Sequence, residues 1–141
     1  MTQVKSGKIK IIAPADFMEE AISENVMAGN AMSRRALYQG GMPLEKSEKG
    51  LVDSGLGKTA GTGNISLIEP IHIISKTGER MVIDGIEIVF QHTPGAEAPS
   101  EMMFYFPKYK ALCLSEECNA TPHNIYTLRG AKIRDAKAWS Y

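Results

Sequence analysis

Three carboxylates, Glu97, Glu101 and Glu116, are the residues of this sequence whose spacing most readily supports chemistry. A β-type run ends in Gln91-His92-Thr93-Pro94-Gly95, a stiff turn, and Ala96-Glu97-Ala98-Pro99 follows it. The next two strands, 102–106 and 111–115, are joined by Pro107-Lys108-Tyr109-Lys110, a four-residue connection that predicts a hairpin. With residues 108 and 109 at its centre, position 116 faces position 101, and Glu97 lies one short loop away. The spacing therefore predicts three carboxylates at one sheet edge. Ionised carboxylates repel one another, and a bound cation is a common way to hold them together. The plain alternative is three glutamates facing water at strand ends, where glutamate is usually found. Glu101, the first residue of its strand, fits that description best. Glu117 follows Glu116 directly, so the two point in different directions and at most one is expected in a site.

Other residues nearby have suitable chemistry. His92 precedes the turn and can either ligate a metal or brace the turn by hydrogen bonding; His72 sits within a strand pattern and reads as structural. His123 lies in the loop after the carboxylates, close to Asn124 and Arg129. Arg129 offers a planar fork suited to a tetrahedral oxyanion, and Asn124 a neutral donor; otherwise they are a surface arginine and a loop-capping asparagine. Gly55-Leu56-Gly57-Lys58-Thr59 superficially resembles a phosphate loop, but Val52 stands where the first glycine of that motif belongs. A β-type segment follows, not the helix whose N-terminus would hold a phosphate, so nucleotide binding is rejected.

The elements that must position these groups are a strand, a helix and a series of short strands. Residues 8–13 alternate and then turn apolar, predicting a strand that ends at Pro14. Asp16 heads a long helical stretch with Glu19 in a capping-box position, and the helix is expected to end near Gly40-Gly41. Residues 40–64 are glycine-rich and aperiodic, a long functional or mobile loop. Short strands are predicted at 65–69, 71–75, 81–84 and 86–91, with turns at Thr77-Gly78 and Asp84-Gly85. The tail from His123 reads as helical with a break at Gly130. This pattern is α/β (α+β): one long N-terminal helix, then mainly antiparallel strands, in a single domain spanning residues 1–141.

Sixteen basic and sixteen acidic side chains cancel, so no global field draws the chain to nucleic acid or an anionic membrane. No apolar run is long enough to span a bilayer, and the first residues lack the apolar core of a secretory signal, which reads as cytoplasmic. Cys113 and Cys118 are too few and too far apart for a C-x-x-C site; Cys113, in an apolar run, is expected to be buried.

The strand leading to His-Thr-Pro-Gly and the hairpin ending in an acidic residue resemble the second half of a metallo-β-lactamase core. Most of that superfamily has a metal-binding histidine directly after the glycine, where this chain has Ala96. The run His92-Thr93-Pro94-Gly95-Ala96-Glu97-Ala98-Pro99, followed by Met103-Phe104-Tyr105-Phe106-Pro107 and Ala111-Leu112-Cys113-Leu114-Ser115-Glu116, is instead similar to the alkyl sulfatases. Those enzymes hydrolyse alkyl sulfate esters such as dodecyl sulfate. The likeness continues through Ile12-Ala13-Pro14, Ser23-Glu24-Asn25-Val26, Gly29-Asn30-Ala31-Met32-Ser33-Arg34-Arg35, the glycine loop and Thr127-Leu128-Arg129-Gly130-Ala131.

The resemblance implies a partial αββα sandwich and a site with two zinc ions when complete. Glu97 matches a ligand of one zinc, and Glu116 the carboxylate that bridges the two. Asn124 and Arg129 match residues that hold the sulfate, and Tyr38 falls near a tyrosine of the sulfate pocket. The family's first metal motif, H-x-H-x-D-H, belongs upstream of Ile12-Ala13-Pro14 and occurs nowhere in this sequence. Its last histidine ligand falls beyond Tyr141, as do its dimerisation and lipid-binding-like domains. The chain is therefore expected to be an internal fragment of such an enzyme, retaining zinc weakly or not at all by itself. The alternatives are an inactive remnant serving as a binding module, and a half-domain completed by a partner. An exposed apolar sheet face would favour homo-oligomers. Family members can also be periplasmic or secreted.

Overall fold

The structure, a computed structural model, describes residues 2–53, 63–64, 66–118, 126 and 132–140. The glycine loop at 55–59, His123, Asn124, Arg129 and most of the tail expected to be helical lie outside the described residues. In chain order the elements are α1 (Thr2–Lys5), β1 (Ile12–Pro14), α2 (Phe17–Ile22), a π-helical turn (Ser23–Met27), α3 (Gly29–Gln39), β2 (His72–Ile74), β3 (Arg80–Ile83), β4 (Ile86–His92), β5 (Met102–Phe106) and β6 (Ala111–Cys113). Single 3-10 turns occupy Pro107–Tyr109 and Ala138–Ser140. The class is the expected mixture of helix and mainly antiparallel strand.

The chain divides into two compact units. The first comprises Met1–Glu20, Ile68–Ile125 and Ile133–Tyr141, and holds both sheets. In it β1 and β2 form a parallel pair, Ile12 facing His72 and Pro14 facing Ile74. The other sheet is an antiparallel meander in the order β3-β4-β5-β6. Asp84 and Gly85 take φ of 51° and 78°, the left-handed pair that a tight hairpin requires, so the turn read from Asp-Gly forms as expected. The β3–β4 pairing continues past Arg80, since Phe90 N–H donates to Glu79 O at 2.8 Å and Gly78 N–H to Phe90 O at 2.8 Å.

Alternation sorts the meander into two faces. Ile88, Phe90, His92, Met102, Phe104 and Cys113 share one of them, and the Phe90 and Phe104 rings lie 6.4 Å apart. Arg80, Val82, Glu87, Tyr105 and Leu112 share the other, which is open; Val82 is 71% exposed and Arg80 pairs with Glu87 at 2.9 Å. Besides Pro14 and Pro70, the buried apolar residues among those described are Ala13, Ile74, Phe90 and Ala96, all in this first unit. Cys113 is only half-buried, because its strand is the edge of the meander, and Cys118 is exposed.

Several predicted elements differ from those observed. The first strand is three residues long, and residues 66–70 form no strand; Pro70 lacks a backbone donor and restricts Glu69 before it. Asp16 has a φ of 63°, not the extended backbone of a capping box, and its carbonyl accepts from Glu20 N–H at 3.0 Å. The long helix is broken: Ala28 N–H reaches back five residues to Ser23 O, and α3 restarts at Gly29, where helix propensity is poor. Its end is as expected, with Gly40 N–H donating to Ala36 O and Gly41 at φ 66°. In this second unit, Ala21–Leu67 and Tyr126–Lys132, Val26 and Leu37 are exposed.

Ile74, with no exposed surface, is the side chain on which the β1–β2 pair closes. Its truncation to alanine should cost about 3 kcal/mol by transfer and cavity terms, whereas Val82→Ala on the open face should stay within about 0.5 kcal/mol. Urea unfolding of the two variants tests this.

Candidate functional site

Two hairpin registers build the acidic edge of the first unit. Between β4 and β5, His92 faces Met102, and one step further Thr93 N–H donates to Glu101 O at 3.1 Å. Between β5 and β6, Phe104 faces Cys113. The same register places Ser115 opposite Met102, where Ser115 Oγ donates to Met102 O at 2.8 Å, and Glu116 opposite Glu101. This is the pairing that a turn centred on residues 108 and 109 predicts. Lys110, at φ 51° with its N–H on Pro107 O, closes that turn. Ser115 is also left-handed, at φ 53°, and the chain turns there to carry Glu116 and Glu117 off the strand; Glu117 N–H returns to Leu114 O.

Glu97 arrives from the other side on a tight loop. Gly95, at φ 78°, donates its N–H to both Ala98 O and Pro99 O, at 3.0 and 3.2 Å. Ala96 is buried at 2% exposure, and Ser100 Oγ ties the loop to β1 through Ala15 O at 2.7 Å. Glu97 N–H donates to Glu117 Oε1 at 3.2 Å, and Glu97 Oε1 lies 3.9 Å from Nε of the buried Arg134. The latter is a charge contact, too long for a hydrogen bond.

The electrostatics show how closely the acids gather. Glu101 is pushed up to about 7, first by burial and then by the charge of Glu117. A hydrogen bond with the Met102 backbone opposes the rise, while Glu97 and Glu116 add to it. Glu97, Glu101 and Glu116 therefore do meet at one edge, and two expectations need correction. Glu101 is not a water-facing strand end; it is half-buried and the most perturbed of the group. Glu116 and Glu117 both act on it, because the turn at Ser115 breaks the alternation that would have separated them.

Carboxylate oxygens are donors that suit a divalent cation, so the residue types at this edge agree with a metal ligand set. The number of donors falls short: among the described residues no three His, Cys, Asp or Glu side chains converge on one point. The His92 backbone exchanges hydrogen bonds with Thr77 Oγ1, at 3.1 and 3.2 Å, and its Nε2 is buried without a hydrogen-bond partner. A zinc centre on Glu97 and Glu116 thus needs ligands from outside the described residues. Tyr38 stands exposed on α3 in the second unit, beside a recess of about 410 Å³ lined by Ala31, Arg34 and Arg35. Arg134 and Trp139 escaped the sequence reading. Arg134 lies in an ordinary charged tail, but Trp139, the sole tryptophan, was a usable signal because so large a ring seldom stays in water.

No family model matches the chain. A linear primary-alkylsulfatase from Pseudomonas sp. is 53% identical to it over 137 residues, which is 97% of this chain and 20% of that protein. An alkyl/aryl-sulfatase from Saccharomyces cerevisiae is 50% identical over 137 residues, 97% of this chain and 21% of that protein. The solved stereoselective inverting sec-alkylsulfatase Pisa1 from Pseudomonas sp. superposes with a TM-score of 0.90 at 46% identity, over 99% of this chain and 22% of that one. The chain spans about a fifth of the length of the curated relatives it matches.

The raised Glu101 makes stability depend on pH. Between about 4.5 and 7 the folded chain holds a proton that the unfolded chain has released, so stability falls as pH rises through that window. Glu101→Gln should abolish this fall. Because the carboxylate is only half-buried, the gain at pH 8 is discounted to about 1 kcal/mol, or roughly 4 °C in Tm, with little change at pH 4. Thermal melts in chelator-treated buffer across pH 4–8 check it.

Proposed function

With a chain that matches a segment of the alkyl sulfatases in both sequence and fold, we propose that it carries the carboxylate portion of a zinc-dependent centre hydrolysing alkyl sulfate esters to alcohol and sulfate. The observation that carries this reading is the meeting of Glu97 and Glu116 with Glu101 and Glu117 at one edge, in a loop and a hairpin whose sequences resemble the family's metal-binding segments. Glu97 would hold one zinc and Glu116 would bridge two, within a metallo-β-lactamase type of domain. Bound zinc supplies Lewis acidity and a water of lowered pKa. Glu101, half-buried and readily protonated near neutral pH, limits the negative charge the edge must carry until the cation arrives.

For the substrate, Arg129 would pair with sulfate oxygens and Asn124 would donate a neutral hydrogen bond, with Tyr38 as a further contact. An apolar cleft would take the alkyl chain. These groups bind and orient the ester. Glu97 and Glu116 alone are fewer than the three or four protein ligands of a usual zinc site, so the proposal counts them as part of the centre only.

A second reading has its own support. Val82, Tyr105 and Leu112 are all exposed on the open face of the meander, and such a face favours a covering partner or a second copy.

In a longer polypeptide containing this segment, Glu97→Gln and Glu116→Gln should each lower dodecyl sulfate hydrolysis at least about 100-fold and reduce bound zinc. Full activity and full zinc in both variants would reject the reading. The isolated chain should retain no zinc at micromolar metal after desalting. In sedimentation its monomer would argue against the second reading.

A further inference from the structure

Residues 133–140 return to the acidic edge and tie its two halves together. Asp135 N–H donates to Gly95 O at 3.4 Å, on the loop that carries Glu97. Trp139 Nε1–H donates to Glu117 O at 3.2 Å, on the turn that carries Glu116. The segment is itself braced, with Lys137 N–H on Asp135 Oδ1 at 2.9 Å and Trp139 N–H on Asp135 O at 3.3 Å. Between these anchors sits Arg134, 8% exposed, its Nε 3.9 Å from Glu97 Oε1.

We propose that Arg134 is a positioning residue, and the segment around it a strap, that together fix Glu97 relative to the Glu116–Glu117 turn. A guanidinium is costly to bury unless a negative charge lies close, and Glu97 is such a charge. Glu97 has the complementary need, since its neighbours Glu101 and Glu117 are acids. The contact holds the Glu97 carboxylate inward, and the Asp135 and Trp139 bonds hold the loop and the turn to one rigid piece of backbone. Metal ligands are commonly oriented by such outer contacts, so the strap's chemical consequence rests on the sulfatase reading. The geometry itself does not.

The test therefore reads the geometry directly, by amide hydrogen exchange in NMR on the 141-residue chain without metal. Arg134→Met should speed exchange at least tenfold at the Glu97 amide and at the single indole N–H, with the Phe90 amide in the meander unchanged within twofold. Arg134→Lys should restore most of the protection. Unchanged exchange at Glu97 overturns the proposal, and so does an equal rise at Phe90, which marks general loosening. Trp139→Phe keeps the ring volume and removes one anchor, and serves if Arg134→Met does not fold: tenfold faster exchange at Glu117 with an unchanged Phe90 is expected, and no change overturns. Zinc titration of a longer protein containing the segment separates the two ideas. A 10- to 100-fold weaker affinity in Arg134→Met is expected there. Absence of zinc from the unsubstituted protein would count against the sulfatase reading and leave the exchange result standing.

Discussion

The pairing of β5 with β6 in the register that sets residue 116 against residue 101 is the constraint on which the acidic edge depends. A slip of one residue would turn every side chain of β6 to the other face and carry Glu116 away from Glu101. Local chemistry prevents the slip. Pro107 opens the connection, Lys110 closes it in the left-handed region, and Ser115 Oγ fastens the far end to Met102 O. The opposing hairpin is fixed by Thr93 N–H on Glu101 O, which holds Glu101 from the β4 side.

That arrangement gathers like charge at an edge where Glu97, Glu101 and Glu117 are half-buried and Glu116 is exposed. Burial and three neighbouring acids raise Glu101, and the edge relieves itself partly by keeping that proton and partly through Arg134 beside Glu97. Backbone donors do the rest, at Met102 and at the Glu97 amide that meets Glu117. Glu101 and Glu117 therefore belong to the same edge as Glu97 and Glu116 and share its charge.

The legible features were local in sequence. Asp84-Gly85 announced its turn, Pro107–Lys110 its hairpin, and the hairpin fixed a register from which the meeting of three acids followed. Features set by distant contacts were not legible. Arg134 and Trp139 act on residues 37 and 22 positions earlier (134 − 97 and 139 − 117); the sole tryptophan signals burial but not its partner, and nothing in the tail's composition distinguishes Arg134 from solvated charge. The break between α2 and α3 was not legible for another reason: it consists of one five-residue backbone bond, from Ala28 N–H to Ser23 O, before α3 restarts at Gly29. The family likeness was legible because it rests on ordered motifs across the chain, independent of any one element.

Anomalous diffraction at the zinc edge, on crystals of a longer protein that includes this segment, tests the central claim most directly. The account predicts a zinc peak about 2.0–2.2 Å from carboxylate oxygens of both Glu97 and Glu116. A well-ordered edge with no zinc at either glutamate, or zinc bound only elsewhere, would contradict it.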